Sequence, residues 1–105
     1  MNKIEKEKLI CKFMNWESFH MKNSLDELLP IINKIENLYF SPNGRYSSSL
    51  EVNIYRDKCE ISYNGYYSGT IKIVKDKNRI KSVYNAIIAF IKWYYEDNRY
   101  MNLFN

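Results

Sequence analysis

Chemistry centred on histidine, cysteine or a bound metal would have to be built from few parts: the 105-residue chain has one histidine, two cysteines and twelve carboxylates. His20 has no Ser–Asp arrangement near it that suggests a triad, and it reads as a loop or partly buried histidine. Cys11 and Cys59 form neither a CxxC pair nor a metal-ligand spacing, so two buried free thiols are expected. Asp26 and Glu27 open a helix, where negative charge is favourable for structural reasons alone. Asp57 belongs to a turn. The sequence carries no HExxH, P-loop or dinucleotide fingerprint. It therefore points away from an enzyme, with no catalytic residue, metal or cofactor expected.

Binding chemistry is better represented. Aromatic and cationic residues recur together as Arg45-Tyr46, Tyr55-Arg56, Tyr66-Tyr67 ahead of Lys72, Lys92-Trp93-Tyr94-Tyr95 and Arg99-Tyr100. A ring face stacks on a nucleobase for about 1–3 kcal/mol, and a guanidinium holds phosphate through two parallel N–H donors. Tyr66 and Tyr67 stand out, because two adjacent aromatics in a hairpin connection cannot both fill one core, and loops carry function more often than scaffolds. Trp93 follows. The candidate ligand-binding set is Tyr66, Tyr67 and Trp93 as stacking groups, with Arg45, Arg56 and Arg99 as phosphate anchors. Composition tempers the tyrosine signal. Thirteen Asn, 13 Ile, 12 Lys and 10 Tyr against two Ala and four Arg are the mark of an A- and T-rich gene. Extended DNA binding is less attractive: twelve acids are spread among sixteen bases, the net charge is only +4, and no predicted helix carries a dense basic stripe.

The elements that must position these residues are legible from periodicity. Residues 80–96 form a run without Gly or Pro, with Asn78 upstream as an N-cap. Ile80, Val83, Tyr84, Ile87, Ile91, Tyr94 and Tyr95 make one apolar helical face. Ala86, Ala89, Phe90 and Trp93 make the opposite side apolar too. Such a helix is covered on both sides. One cover is the chain's own sheet, and the other is another element, another copy of the chain or a ligand; the preferred reading is a second copy seated on Ala86, Ala89, Phe90 and Trp93.

Upstream, Lys3 to Asn15 reads as a first helix with Leu9, Ile10, Phe13 and Met14 as its apolar edge and Lys6, Glu7, Lys8 and Lys12 in water. Ser24-Leu-Asp-Glu27 matches a capping box. A second helix runs from it to about Leu38, with Pro30 predicting a kink or a delayed start. Ser41-Pro-Asn-Gly44 is a turn signal. Leu50, Val52 and Ile54, then Cys59, Ile61 and Tyr63, then Ile71 and Ile73 alternate with polar neighbours, giving three strands of an antiparallel meander. The fold expected is α+β: two N-terminal helices, a three-stranded antiparallel meander and a long C-terminal helix packed on it, as one domain over residues 1–105. No apolar run reaches membrane-spanning length and the first residues lack the apolar centre of a secretion signal, so a cytoplasmic location is expected.

Three runs resemble a family of small phage and prophage proteins of the Bacteroidetes type: Lys8-Leu-Ile-Cys-Lys-Phe-Met14, residues 24–36 (SLDELLPIINKIE) and residues 81–94 (KSVYNAIIAFIKWY). Their order and spacing follow that family's pattern, although Leu25 and Glu27 stand where it has tryptophans. The resemblance implies a phage accessory protein working in the host cytoplasm by binding. The function expected is sequestration of a nucleotide-derived host immune signal, of the cyclic-nucleotide or ADP-ribose type, as a counter-defence measure. The alternatives are a protein-interaction inhibitor of a host defence enzyme and a small nucleic-acid-binding protein.

Overall fold

The computed structural model describes residues 1–41, 46–96 and the backbone of 101–103. Helix α1 (Lys3–Met14) is followed by a 3-10 turn (Leu25–Glu27) and helix α2 (Leu29–Glu36). Strands β1 (Leu38–Phe40), β2 (Ser48–Ile54), β3 (Lys58–Gly65) and β4 (Gly69–Lys75) come next, then helix α3 (Arg79–Glu96) and a short strand β5 (Met101–Leu103). The sheet is antiparallel in the order β4-β3-β2-β1-β5. The expected meander is β2–β3–β4. Strands β1 and β5 extend it beyond the three strands anticipated. The turn expected at Ser41–Gly44 involves residues 42–44, outside the described residues.

Local chemistry sets the boundaries. Asn2 caps α1 by accepting from the Glu5 N–H at 2.8 Å, and Asn15 closes it in the left-handed region at φ 58°. Ser24 accepts from the Asp26 N–H, but Glu27 reaches back to the Lys22 N–H at 2.9 Å rather than to Ser24. The turn it steadies is 3-10, and α2 starts late, with Pro30 in its first positions where the missing N–H costs nothing. The helix stops at Glu36, two residues short of the expected end. Leu38 and Phe40 then alternate inward as a strand, with Tyr39 facing out.

Both α2 and α3 lie on one face of the sheet, and α1 lies across α3. The core is continuous between them: Ile10 and Phe13 from α1, Ile31, Ile32 and Ile35 from α2, Val83, Ala86, Ile87, Phe90 and Ile91 from α3, and Leu38, Leu50, Cys59 and Ile61 from the sheet. Glu7, expected in water, is buried on α1, where its carboxylate accepts from the Met21 N–H at 3.2 Å and faces His20 at 3.7 Å. The second cover of α3 is therefore α1. Ala86 and Phe90 are fully buried within one chain, and Trp93 is half-buried against Phe40 and Phe90. Of the four residues on which self-association was expected, Ala86 and Phe90 are already covered within the chain, while Ala89 and Trp93 are half-buried.

Strand β4 departs from simple alternation. Its register with β3 shifts between Ile61 and Ser62, which pair with Lys72 and Thr70 and leave Ile71 as the extra residue of a bulge. Ile71 packs against the core, as the alternation predicts. Beyond the bulge the faces exchange: Val74 joins Cys59 on the helix side, and Ile73 pairs with Glu60 on the open face and is exposed. A one-residue slip turns every following side chain over.

Gly69 lies under the Tyr63 ring. A Cβ built there would come within 2.9 Å of three Tyr63 atoms, and Tyr63 in turn packs edge-on against Phe40 at 4.8 Å between ring centres. Gly69→Ala is expected to lower stability by about 1–3 kcal/mol through overpacking, read as a fall in the urea midpoint at unchanged slope. An unchanged midpoint would mean that Tyr63 swings away without loss.

Candidate functional site: a tyrosine cluster at one end of the sheet

The β3–β4 connection leaves the sheet at Gly65 and returns at Gly69. Its position is set by Ser48 at the start of β2. Ser48 is buried, donates its hydroxyl to the Tyr67 carbonyl at 2.9 Å and accepts the Tyr67 N–H. Gly65 faces Ser48 so closely that a Cβ would lie 3.1 Å from its Cα. Ser68 and Asn64 join across the base of the loop at 2.9 Å. The loop is thus tied down at both ends, and its tyrosines are held outward.

Tyr66 stacks on Tyr46 with ring centres 4.2 Å apart and planes 16° from parallel, while Tyr67 meets Tyr66 edge-on at 5.0 Å. Tyr66 is 67% exposed, Tyr46 44% and Tyr67 39%. Three rings with this much surface in water are not core. They form an aromatic platform at the sheet end. Tyr39 projects from β1 onto the open face of the sheet nearby, through its pairing with Ser49. That face is polar and acidic: it carries Glu51 and Glu60, with Thr70 donating to Glu60 at 2.8 Å and Asn53 to Ser62 at 3.2 Å.

The candidate residues from the sequence separate in space. Tyr66 and Tyr67 come together, and Tyr46 joins them. Trp93 does not: it is half-buried, packed between Phe40 and Phe90 at the edge of the core. Arg56 sits in the β2–β3 turn, at the far end of β3 from Tyr66, roughly 23 Å away at about 3.3 Å per residue. It is not part of the platform. Arg45 and Arg99 lie outside the described residues. Tyr46 and Ser48 were missed as site residues. Extending the Ser48↔Gly65 pairing outward puts residue 46 beside the Tyr66–Tyr67 loop, but that register becomes visible only once β2 and β3 are paired.

The other reactive groups lie elsewhere. His20 is exposed in the loop after α1, with Glu7 as its acidic neighbour. Cys59 is buried in β3 and Cys11 is half-buried on α1. Among the described residues no three His, Cys, Asp or Glu side chains gather closely enough to hold a metal ion, and no helix is long and apolar enough to cross a membrane. No family model, curated protein or solved structure matches this chain.

Proposed function

We propose that the chain is a non-catalytic binding protein that captures a ligand bearing a nucleobase, of the cyclic-nucleotide or ADP-ribose class, on the Tyr46–Tyr66–Tyr67 platform. In the phage setting that the resemblance implies, such capture removes a host immune signal, and its site of action is the host cytoplasm. The observation carrying this reading is the exposed, near-parallel Tyr46–Tyr66 pair on a loop anchored by buried Ser48. An aromatic pair fixed in this way offers a flat face whose ordering cost is already met before the ligand arrives. Arg45, adjacent to Tyr46 along the chain, is the guanidinium closest in sequence to the platform.

Titration with cyclic nucleotides and ADP-ribose, followed by tyrosine fluorescence, tests the reading. Saturable binding is expected. Tyr66→Ala should weaken it about 5- to 150-fold, the equivalent of about 1–3 kcal/mol for one lost stacking face. Chromatography after denaturing the complex should return the ligand intact. A chemically altered ligand would mean an enzyme, and no binding by any of these compounds would end the proposal.

The same exposed rings favour one second reading. Tyrosine is enriched at the cores of protein interfaces, so the platform also suits a host protein as the target of inhibition. A stoichiometric protein recovered from host lysate by the wild-type chain and not by Tyr66→Ala, with no small ligand in the eluate, distinguishes it.

A further inference from the structure

At the opposite end of the sheet from the tyrosines, the Asp76 N–H donates to the Asp57 carbonyl at 2.9 Å and ties the β4–α3 connection to the β2–β3 turn. Between that connection, the N-terminal half of α1 and the first turns of α3 lies a cleft of about 530 Å³. It is lined by Lys3 and Lys6 from α1, Asn23 from the loop before α2, and Lys81, Tyr84 and Asn85 from α3, together with Met21 and Asp76. Three ammonium groups thus face one carboxylate, and Asp76 is already engaged, accepting the Asn78 N–H at 2.8 Å. Glu7, next to Lys6, is engaged by the Met21 N–H and His20. Lys6 donates to the Asn85 side chain at 3.2 Å and lies over the Tyr84 ring at 5.8 Å, which fixes its head group at the cleft wall.

A second feature stands apart from charge. The Tyr84 hydroxyl is buried and has no hydrogen-bond partner among the described residues. Burial, and secondarily Glu7, pushes its pKa up, so the phenol stays a neutral donor at physiological pH. The hydroxyl has essentially no accessible surface, so it is part of the cleft wall and not a group open to a ligand. The cleft volume is in the range of small-molecule sites. Its accessible polar groups are mainly donors: three ammonium groups and the NH2 groups of two side-chain amides, against the one Asp76 carboxylate. That inventory matches the acceptor-only oxygens of a phosphate group.

We propose that this cleft is a second binding site, for a small phosphorylated ligand whose phosphate is held by Lys3, Lys6 and Lys81 with the Asn85 side-chain amide as a further donor. The length of the sheet separates it from the tyrosine platform, so the two sites stand or fall independently.

Inorganic pyrophosphate and adenosine monophosphate, titrated at 150 mM KCl and followed by two-dimensional NMR, test it. The Asn23 and Asn85 side-chain amides and the Lys81 and Tyr84 backbone amides are expected to shift saturably with one of the two, and the Tyr66 amide is not expected to move with pyrophosphate, which has no base to stack. Lys6→Met with Lys81→Met should weaken pyrophosphate binding at least tenfold, while Tyr66→Ala leaves pyrophosphate binding unchanged. Lys81→Met alone, at an exposed position, should weaken it severalfold, which keeps the test available should the lysine double variant fail to fold. Pyrophosphate shifts alone would identify a bare phosphate site; preference for the nucleotide would extend it to a nucleoside phosphate. The proposal is overturned by no saturable shift with either compound, by equal shifts with sulfate, or by wild-type affinity in the lysine double variant.

Discussion

Phe90→Ala is expected to remove about 3–5 kcal/mol of stability, the usual cost of emptying a fully buried phenylalanine site. Phe90 has no exposed surface and sits at the junction of all three layers. Its ring centre lies 6.5 Å from Phe13 on α1, 5.7 Å from Trp93 and 6.3 Å from Tyr94 on α3. Small domains carry only about 5–15 kcal/mol in total, so the variant should lose from about a fifth to all of its stability. Urea unfolding followed by tryptophan fluorescence measures the loss, with Trp93 as a reporter a few ångströms away. Tyr66→Ala is the control and should stay within about 0.5 kcal/mol of wild type, since it removes an exposed ring. A loss below about 1 kcal/mol for Phe90→Ala would show that α1 does not seal this face of α3. The partner copy expected from the sequence would then be its cover.

The second large effect is alkaline. Burial in β3, and to a lesser degree the neighbouring Glu60 carboxylate, pushes the Cys59 thiol from 9.0 up to about 11. Below pH 9 the thiol is protonated in both folded and unfolded chains and contributes no pH dependence. Above pH 9 the unfolded chain releases this proton while the folded chain keeps it, so rising pH favours unfolding. The effect levels off once pH passes the folded value near 11. Two pKa units correspond to about 3 kcal/mol lost across that window. Tyr84 and Tyr95 are also raised by burial and steepen the fall from pH 10 upward. Urea midpoints at pH 8, 9 and 10 therefore isolate the thiol. Wild type should decline between pH 9 and 10, and Cys59→Val, which keeps an apolar side chain of similar size, should decline less. Parallel profiles for the two proteins would show that Cys59 ionises as freely in the fold as outside it.

Much of the scaffold was readable from residue order because local signals and packing agree there. The run from Ile80 is apolar on two sides and is covered on two sides. Asn78 caps it through the Lys81 N–H at 3.2 Å, as its position suggests. Pro30 delays α2 for the reason its missing N–H gives. What could not be read is what depends on pairing between distant segments. Periodicity says that α3 has two apolar faces but not whose atoms meet the second, and a narrow stripe on α1 gave little sign that Ile10 and Phe13 are the answer. The bulge at Ile71 is invisible to an alternation count, so Ile73 was assigned inward when it faces out. Among the candidate site residues, Tyr66 and Tyr67 were found because a loop position argues for exposure by itself. Trp93 is covered by Phe40 of β1, a strand that the residue order does not announce and that lies 53 residues away. Lys3, Lys6 and Lys81 look like ordinary surface charges until the fold brings three distant segments to one cleft.

The placement of α1 across α3 also bears on synthesis. Helix α1 finds its main cover on α3, with strands β1 to β4 translated between them. Ile10 and Phe13 remain without that cover until Phe90 has left the ribosome. Closure is thus a late, high-contact-order event, slowed by the entropy of joining distant segments. Nascent chains halted before residue 90 should present the α1 stripe to chaperones, and chains released beyond it should bury that stripe in a single step.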